Sequence, residues 1–94
     1  MIFDGEYING EKNGMGKKYS GYTLVFEGQY LNGKWTGKSK EYNQKNGKLI
    51  FEGEYLDGER NGKGIEYYIN GKVKFIGEFL KGEKIKNIAK RKKK

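Results

Sequence analysis

The sequence predicts an all-β protein: an elongated, twisted, single antiparallel sheet of stacked β-hairpin repeats. Phe3, Phe26, Phe51 and Phe75 recur at spacings of 23, 25 and 24 residues. Each heads the same pattern: a glycine two residues on (5, 28, 53, 77), then an aromatic (Tyr7, Tyr30, Tyr55, Phe79), an aliphatic (Ile8, Leu31, Leu56, Leu80) and a turn glycine (10, 33, 58, 82). Only 34% of the 94 residues are hydrophobic, too little for a thick two-layer core, so stability has to come from stacking each unit on its neighbours.

In the first unit, Phe3, Gly5 and Tyr7 alternate with Asp4, Glu6 and Ile8, the period of a strand. Asn9-Gly10 ends it, because both residues accept positive φ at little cost. Asn13 to Gly16 reads as a second, looser bend, with Lys17 to Tyr19 returning as a strand and Ser20-Gly21 turning into Tyr22–Leu31. In the second unit Lys40–Tyr42 returns and leads to the longest link, Asn43 to Gly47. The third unit predicts paired strands over 50–56, 64–69 and 72–79. A two-residue type I′ turn at Asn70-Gly71 would pair Ile69 with Lys72, Tyr68 with Val73 and Ile65 with Ile76. Every Phe-to-Tyr distance (3 to 19, 26 to 42, 51 to 67) is 16 residues, so length varies only in the links, where a sheet margin tolerates it. The glycine between two aromatics, lacking Cβ, opens a socket for a neighbouring ring, and aromatic ladders on these sockets replace a core.

The fourth unit begins as FIGEFLKGE and then departs, with Arg91 where the tyrosine belongs. Ile85, Ile88 and Ala89 fall at i, i+3, i+4, which suits a short C-terminal helix folded over the last strand; a frayed, solvated lysine tail is the alternative. Residues 1–83 thus form the array, with units starting near 3, 26, 51 and 75, and residues 84–94 a basic cap or tail.

The run aromatic-x-Gly-Glu-aromatic, then Asn/Asp-Gly, then Asn-Gly-x-Gly, over residues 3–83, resembles the MORN (membrane occupation and recognition nexus) repeat. Gln29 replaces the acid, Ser39 replaces a glycine, and the EYYINGKVKFIGEF link resembles a bacterial variant that also occurs in antitoxin proteins. The resemblance implies a single-sheet array with a role in protein interaction or, as has been proposed for the family, phospholipid binding.

The net charge of +8 divides unevenly along the chain. Residues 1–83 carry 13 Lys/Arg and 12 Asp/Glu, whereas residues 84–94 carry 7 Lys/Arg and no acid. Basicity therefore belongs to the tail, whose Lys90, Arg91, Lys92, Lys93 and Lys94 could hold an anionic lipid surface at about 1 kcal/mol per basic residue. Nucleic acid is disfavoured, because no aromatic is interleaved with these cations. The absence of cysteine removes a disulfide framework and thiolate sites. No stretch approaches the ~18 apolar residues of a membrane span, and the first repeat starts at Phe3, so no signal peptide is expected. A cytoplasmic protein, membrane-associated if the tail engages lipid, is the expectation.

Histidine is absent too, which excludes imidazole acid–base catalysis and ordinary zinc sites, and no cofactor or metal is expected. Acids recur at 6, 54 and 78, as a structural position does and a unique acid/base pair does not. Gly33 to Ser39 resembles a phosphate-binding loop but is one spacer short and precedes a predicted strand. A non-catalytic interaction or scaffolding module is the reading. Its partner-binding candidates are Tyr30, Trp35, Tyr55, Tyr67 and Phe79, in a row suited to a helix or peptide. Trp35 is the one aromatic where other units have Lys12, Arg60 and Lys84, so it contacts another repeat or a partner, or is a half-covered rim residue. The alternatives are membrane recruitment through the tail and a toxin-neutralising binder; exposed sheet edges also allow homo-oligomers.

Overall fold

A computed structural model describes residues 2–88. These form eight antiparallel strands in one open sheet, ordered as in the sequence: β1 (Ile2–Ile8), β2 (Glu11–Ser20), β3 (Thr23–Leu31), β4 (Lys34–Tyr42), β5 (Leu49–Leu56), β6 (Glu59–Tyr67), β7 (Val73–Leu80) and β8 (Glu83–Asn87). The body measures 52 × 26 × 16 Å. Sheets pack about 10 Å apart before their outer side chains are counted, so a 16 Å dimension leaves room for one layer.

Each hairpin closes on two residues with φ > 0: Asn9-Gly10, Asn32-Gly33, Asp57-Gly58 and Lys81-Gly82, the leading residue near +50° and the glycine above +80°. This is the type I′ signature, whose twist matches that of the flanking strands. The turns are also tied to the hairpin before them. The Gly33, Gly58 and Gly82 N–H groups donate to the carbonyls of Lys12, Trp35 and Arg60, each at 2.9 Å. Lys81 N–H adds a bond to Asn61 Oδ1 at 3.1 Å.

The ring-on-glycine packing is present. Gly5 pairs with Gly16 and Gly53 with Gly64, and the Phe3 and Phe51 rings lie across these pairs. A Cβ at Gly16 would fall 2.6 Å from the Phe3 ring, and one at Gly53 2.6 Å from the Gly64 Cα. The row Gly5, Gly16, Gly28, Ser39, Gly53, Gly64, Gly77 crosses seven strands. Ser39 fits because its Oγ accepts the Gln29 N–H at 3.3 Å and donates to the Thr36 carbonyl at 3.4 Å.

Four expectations are corrected. Asn13 to Gly16 is not a bend: β2 runs through it with a bulge at Gly14 (φ +76°), and Gly37 and Gly62 do the same in β4 and β6. Beside Gly62, the Glu54 carboxylate accepts the Lys63 N–H at 2.9 Å, so the recurring acid closes the bulge. Second, the Asn70-Gly71 loop has three residues. Tyr68 faces Lys72 through a 2.8 Å bond, Gly71 N–H returns to the Tyr68 carbonyl, and Asn70 lacks positive φ. Tyr67 therefore pairs with Val73, while the Ile65–Ile76 pair is as expected. A three-residue loop with glycine last lets Asn70 Oδ1 accept the Lys72 N–H at 2.9 Å. Third, the first link turns on Gly21-Tyr22, with Ser20 opposite Thr23. Fourth, residues 83–87 form a strand, not a helix, because Glu83 to Lys86 find backbone partners along β7. Ala89 lies outside the described residues, and no helix forms among the described ones.

Gly53→Val should destabilise the protein by about 1–3 kcal/mol or more through overpacking. Gly58→Asn, in open space at a φ that asparagine accepts, should stay within about 0.5 kcal/mol. Urea denaturation of both variants measures the difference; equal losses would contradict the socket packing.

Candidate functional site

The sheet has two chemically different faces. On one lie Phe3, Phe26, Phe51 and Phe75 with the ring four residues later in each unit. Every internal junction is an edge-to-face contact between a Phe and the next unit's ring: Phe3–Tyr30, Phe26–Tyr55 and Phe51–Phe79, with centroids 4.9, 5.6 and 5.2 Å apart. Tyr30, Tyr55 and Phe79 are consequently core residues, and their reading as partner contacts is corrected.

Each Phe is then covered from outside by the residue nine positions on. Lys12 lies over Phe3, Arg60 over Phe51 and Lys84 over Phe75, at 4.8, 4.0 and 5.0 Å from the ring centroids. Trp35 takes that place over Phe26, stacked at 3.8 Å and 8°. Of the readings offered for Trp35, contact with another repeat is the one the structure shows: its indole replaces a cation–π lid by ring stacking and also meets Tyr55 of the next unit edge-on at 5.5 Å.

The strand residue beside each lid is matched to it. Arg60 bridges Glu41 (3.0 Å) and Glu66 (2.9 Å), and Lys84 reaches Glu66 at 2.7 Å. Beside Trp35 the corresponding residue is Lys18, with its ammonium 5.6 Å from the indole. Partial burial pushes the Glu66 carboxyl up, but hydrogen bonds and charge from Lys84 and Arg60 outweigh it and leave its pKa below the ordinary value. The same logic separates two tyrosines. Tyr55 donates its hydroxyl to Glu41, whereas Tyr30, with Lys18 where Tyr55 has Glu41, buries a hydroxyl without a hydrogen-bond partner.

The opposite face is polar. Charges alternate across it, with Asp4, Lys17, Glu27, Lys40 and Glu52 on successive strands. Tyr42 donates to Glu27 and Tyr67 to Glu52. Burial first, then the Glu27 carboxylate, pushes the Tyr42 hydroxyl up to about 12; for Tyr67 the Glu52 hydrogen bond leads, to the same value. Between these rows an open groove of about 670 Å³ runs over β2 to β6, with Met15, Glu27, Lys38, Glu52, Glu54 and Lys63 among its walls. Tyr67, one of the sequence candidates, stands on this face, beside a second depression of about 410 Å³ with Leu49 and Ile69. Sequence reasoning missed the groove residues, although the signal was there: Lys38-x-Lys40 and Glu52-x-Glu54 occupy the alternate positions to the Phe–Gly–Tyr series. Lys90 to Lys94 lie outside the described residues. Among the described residues no cluster of three or more His, Cys, Asp or Glu could hold a metal ion.

A family model for the MORN repeat matches residues 3–21, 26–38 and 51–73, more than half of the chain and in register with the hairpins above. The chain belongs to the MORN repeat family. No curated protein matches it. In this MORN array the match follows the Phe–Gly–Tyr face and its turns, which build the sheet. MORN repeats generally mediate contacts with proteins or membranes.

Tyr55→Phe should cost about 1–3 kcal/mol by stripping a buried charge-assisted hydrogen bond. Tyr30→Phe should be neutral or stabilising, since it removes an unpaired hydroxyl. Chemical denaturation of the pair reads the contrast, and an equal loss would refute the assignment of Lys18 as the cause.

Acid and alkali should act through different groups. The depressed Glu66 pKa contributes stability above its ordinary 4.5 that is lost as pH falls through the lower folded value. The raised Tyr42 and Tyr67 values contribute stability below their ordinary 10, lost as pH rises toward about 12. Thermal melts should show Glu66→Gln flattening the acid limb alone, and Tyr42→Phe with Tyr67→Phe flattening the alkaline limb alone.

Proposed function

We propose that this chain is a non-catalytic binding module and that the groove across β2 to β6 takes a protein or peptide segment. The observation that carries the reading is the division of labour between the faces. The aromatic face spends its rings on one another and on their lids, while the groove stays open and draws charged side chains from four consecutive strands, β3 to β6, with Met15 of β2 at its end. Its volume falls in the range of ligand-binding clefts, about 300–1,000 Å³. Its glutamates are held in place by Tyr42, Tyr67 and the Lys63 N–H, so they present fixed carboxylates between lysine ammonium groups. A ligand laid along it would touch three repeats at once, which suits an extended or helical segment.

Photo-crosslinking in the native cell tests the reading. A photoreactive residue at Lys40 should capture a protein, and one at Lys12, on the aromatic face, should not. The Lys40 adduct should survive 0.5 M salt and deletion of residues 90–94, and be lost on Lys38→Glu with Lys63→Glu. An adduct formed only from Lys12, or one that needs the tail, would refute the groove.

A further inference from the structure

Each internal junction between repeats is built from three contacts, and among the described residues the two ends of the sheet carry the unfilled halves of all three. The first contact is aromatic. Tyr30, Tyr55 and Phe79 each touch two Phe rings and are 2–4% exposed, but Tyr7, at the same repeat position on β1, touches only Phe3 and is 56% exposed. At the other end Phe75 meets its own unit's Phe79 and has no ring from a following unit. The second contact is the turn tie. Gly33, Gly58 and Gly82 donate to Lys12, Trp35 and Arg60, and the corresponding groups left over are the Gly10 N–H and the Lys84 carbonyl. The third is charge across the junction. Lys17 faces Glu27, Lys40 faces Glu52, and Lys38 and Lys63 face Glu54 and Glu78. The free β1 edge carries Asp4 and Glu6, and the free β8 edge carries Lys86, already opposite Glu78 on its inner side.

We infer that the β8 edge of one molecule takes the β1 edge of a second copy of this chain, head to tail, with Tyr7 seated on Phe75 of its neighbour. The order is antiparallel, as at every junction inside the chain. The edges discriminate as well as attract. Two β1 edges would set Asp4 and Glu6 against the same acids, and two β8 edges would oppose lysines, so pairing of like edges is disfavoured. Joining unlike edges is heterologous and leaves a free edge at each end, so growth is open-ended. It is also weaker than an internal junction, because β8 has five residues and sets Asn87 opposite Gly77 where other units place a glycine or Ser39. The association is therefore reversible and concentration-dependent.

Sedimentation velocity on the full 94-residue chain at low salt tests this. The average mass should rise with concentration past the dimer, and fall back to monomer at 0.5 M salt. Glu6→Lys and Lys86→Glu should each weaken growth at least tenfold, with far-ultraviolet circular dichroism confirming the sheet. Lys86→Glu, on the exposed short strand, decides if Glu6→Lys unfolds. Mixing the two single variants should restore open growth of alternating copies, because every junction then pairs unlike charges; the double variant should regain it alone. A monomer at all concentrations, a closed dimer indifferent to both charges, or a double variant no better than the singles would each overturn the inference.

Discussion

The lying of a phenylalanine ring across a pair of cross-strand glycines is the contact on which this structure depends. Because Gly5 meets Gly16 and Gly53 meets Gly64, the rings of Phe3 and Phe51 can lie flat against bare backbone. A single layer thereby buries its aromatic side chains without a second sheet. The same geometry explains why the Phe–Gly–Tyr register is invariant from unit to unit: a slip of one residue would put every ring on the other face. Length changes are confined to the links at 21–22, 43–48 and 68–72, and in the latter two the side-chain oxygens of Asn43, Asn46 and Asn70 accept backbone N–H groups of the extra residues.

A flat ring on one side of a sheet still needs a cover, and the lids at Lys12, Trp35, Arg60 and Lys84 supply it. Their identity is coupled to the neighbouring strand. Cationic Arg60 and Lys84 sit beside Glu41 and Glu66, whereas the neutral indole of Trp35 sits beside Lys18. One consequence reaches the ring below: Tyr55 finds a carboxylate for its hydroxyl and Tyr30 does not. The lid, the flanking charge and the buried tyrosine form one unit of covariation, set by electrostatics more than by shape.

Covering one face leaves the other to face solvent. Its groove is floored by the backs of Gly28, Ser39 and Gly53, which bring no bulk, and walled by alternating lysines and glutamates. The socket glycines thus shape both faces, as seats for rings on one side and as the low floor of a channel on the other. Membership of the MORN family accounts for the first property, since its pattern is the sheet-building one.

The repeat, the strand alternation, the turns at glycines 10, 33 and 58 and the glycine sockets are legible in the sequence, although the one turn whose type it specified, at Asn70-Gly71, is not of that type. These rest on local backbone preference and on a pattern repeated in register, both of which a linear reading contains. It did not determine that Asn13 to Gly16 is a bulge within a strand, because a positive-φ glycine serves a bulge and a bend equally; the neighbouring strand, with its acid beside the gap, decided. Nor could it place Trp35, Tyr30, Tyr55 and Phe79, since an aromatic reads alike whether it faces a partner or the ring of the next repeat. That distinction depends on contacts some 20 to 30 residues apart in the chain, whereas the helix-like spacing of Ile85 and Ile88 gave way to a nearby hairpin partner, the otherwise unpaired β7 edge. Only the tertiary structure sets one repeat against the next, and burial, lids and free edges are properties of that junction.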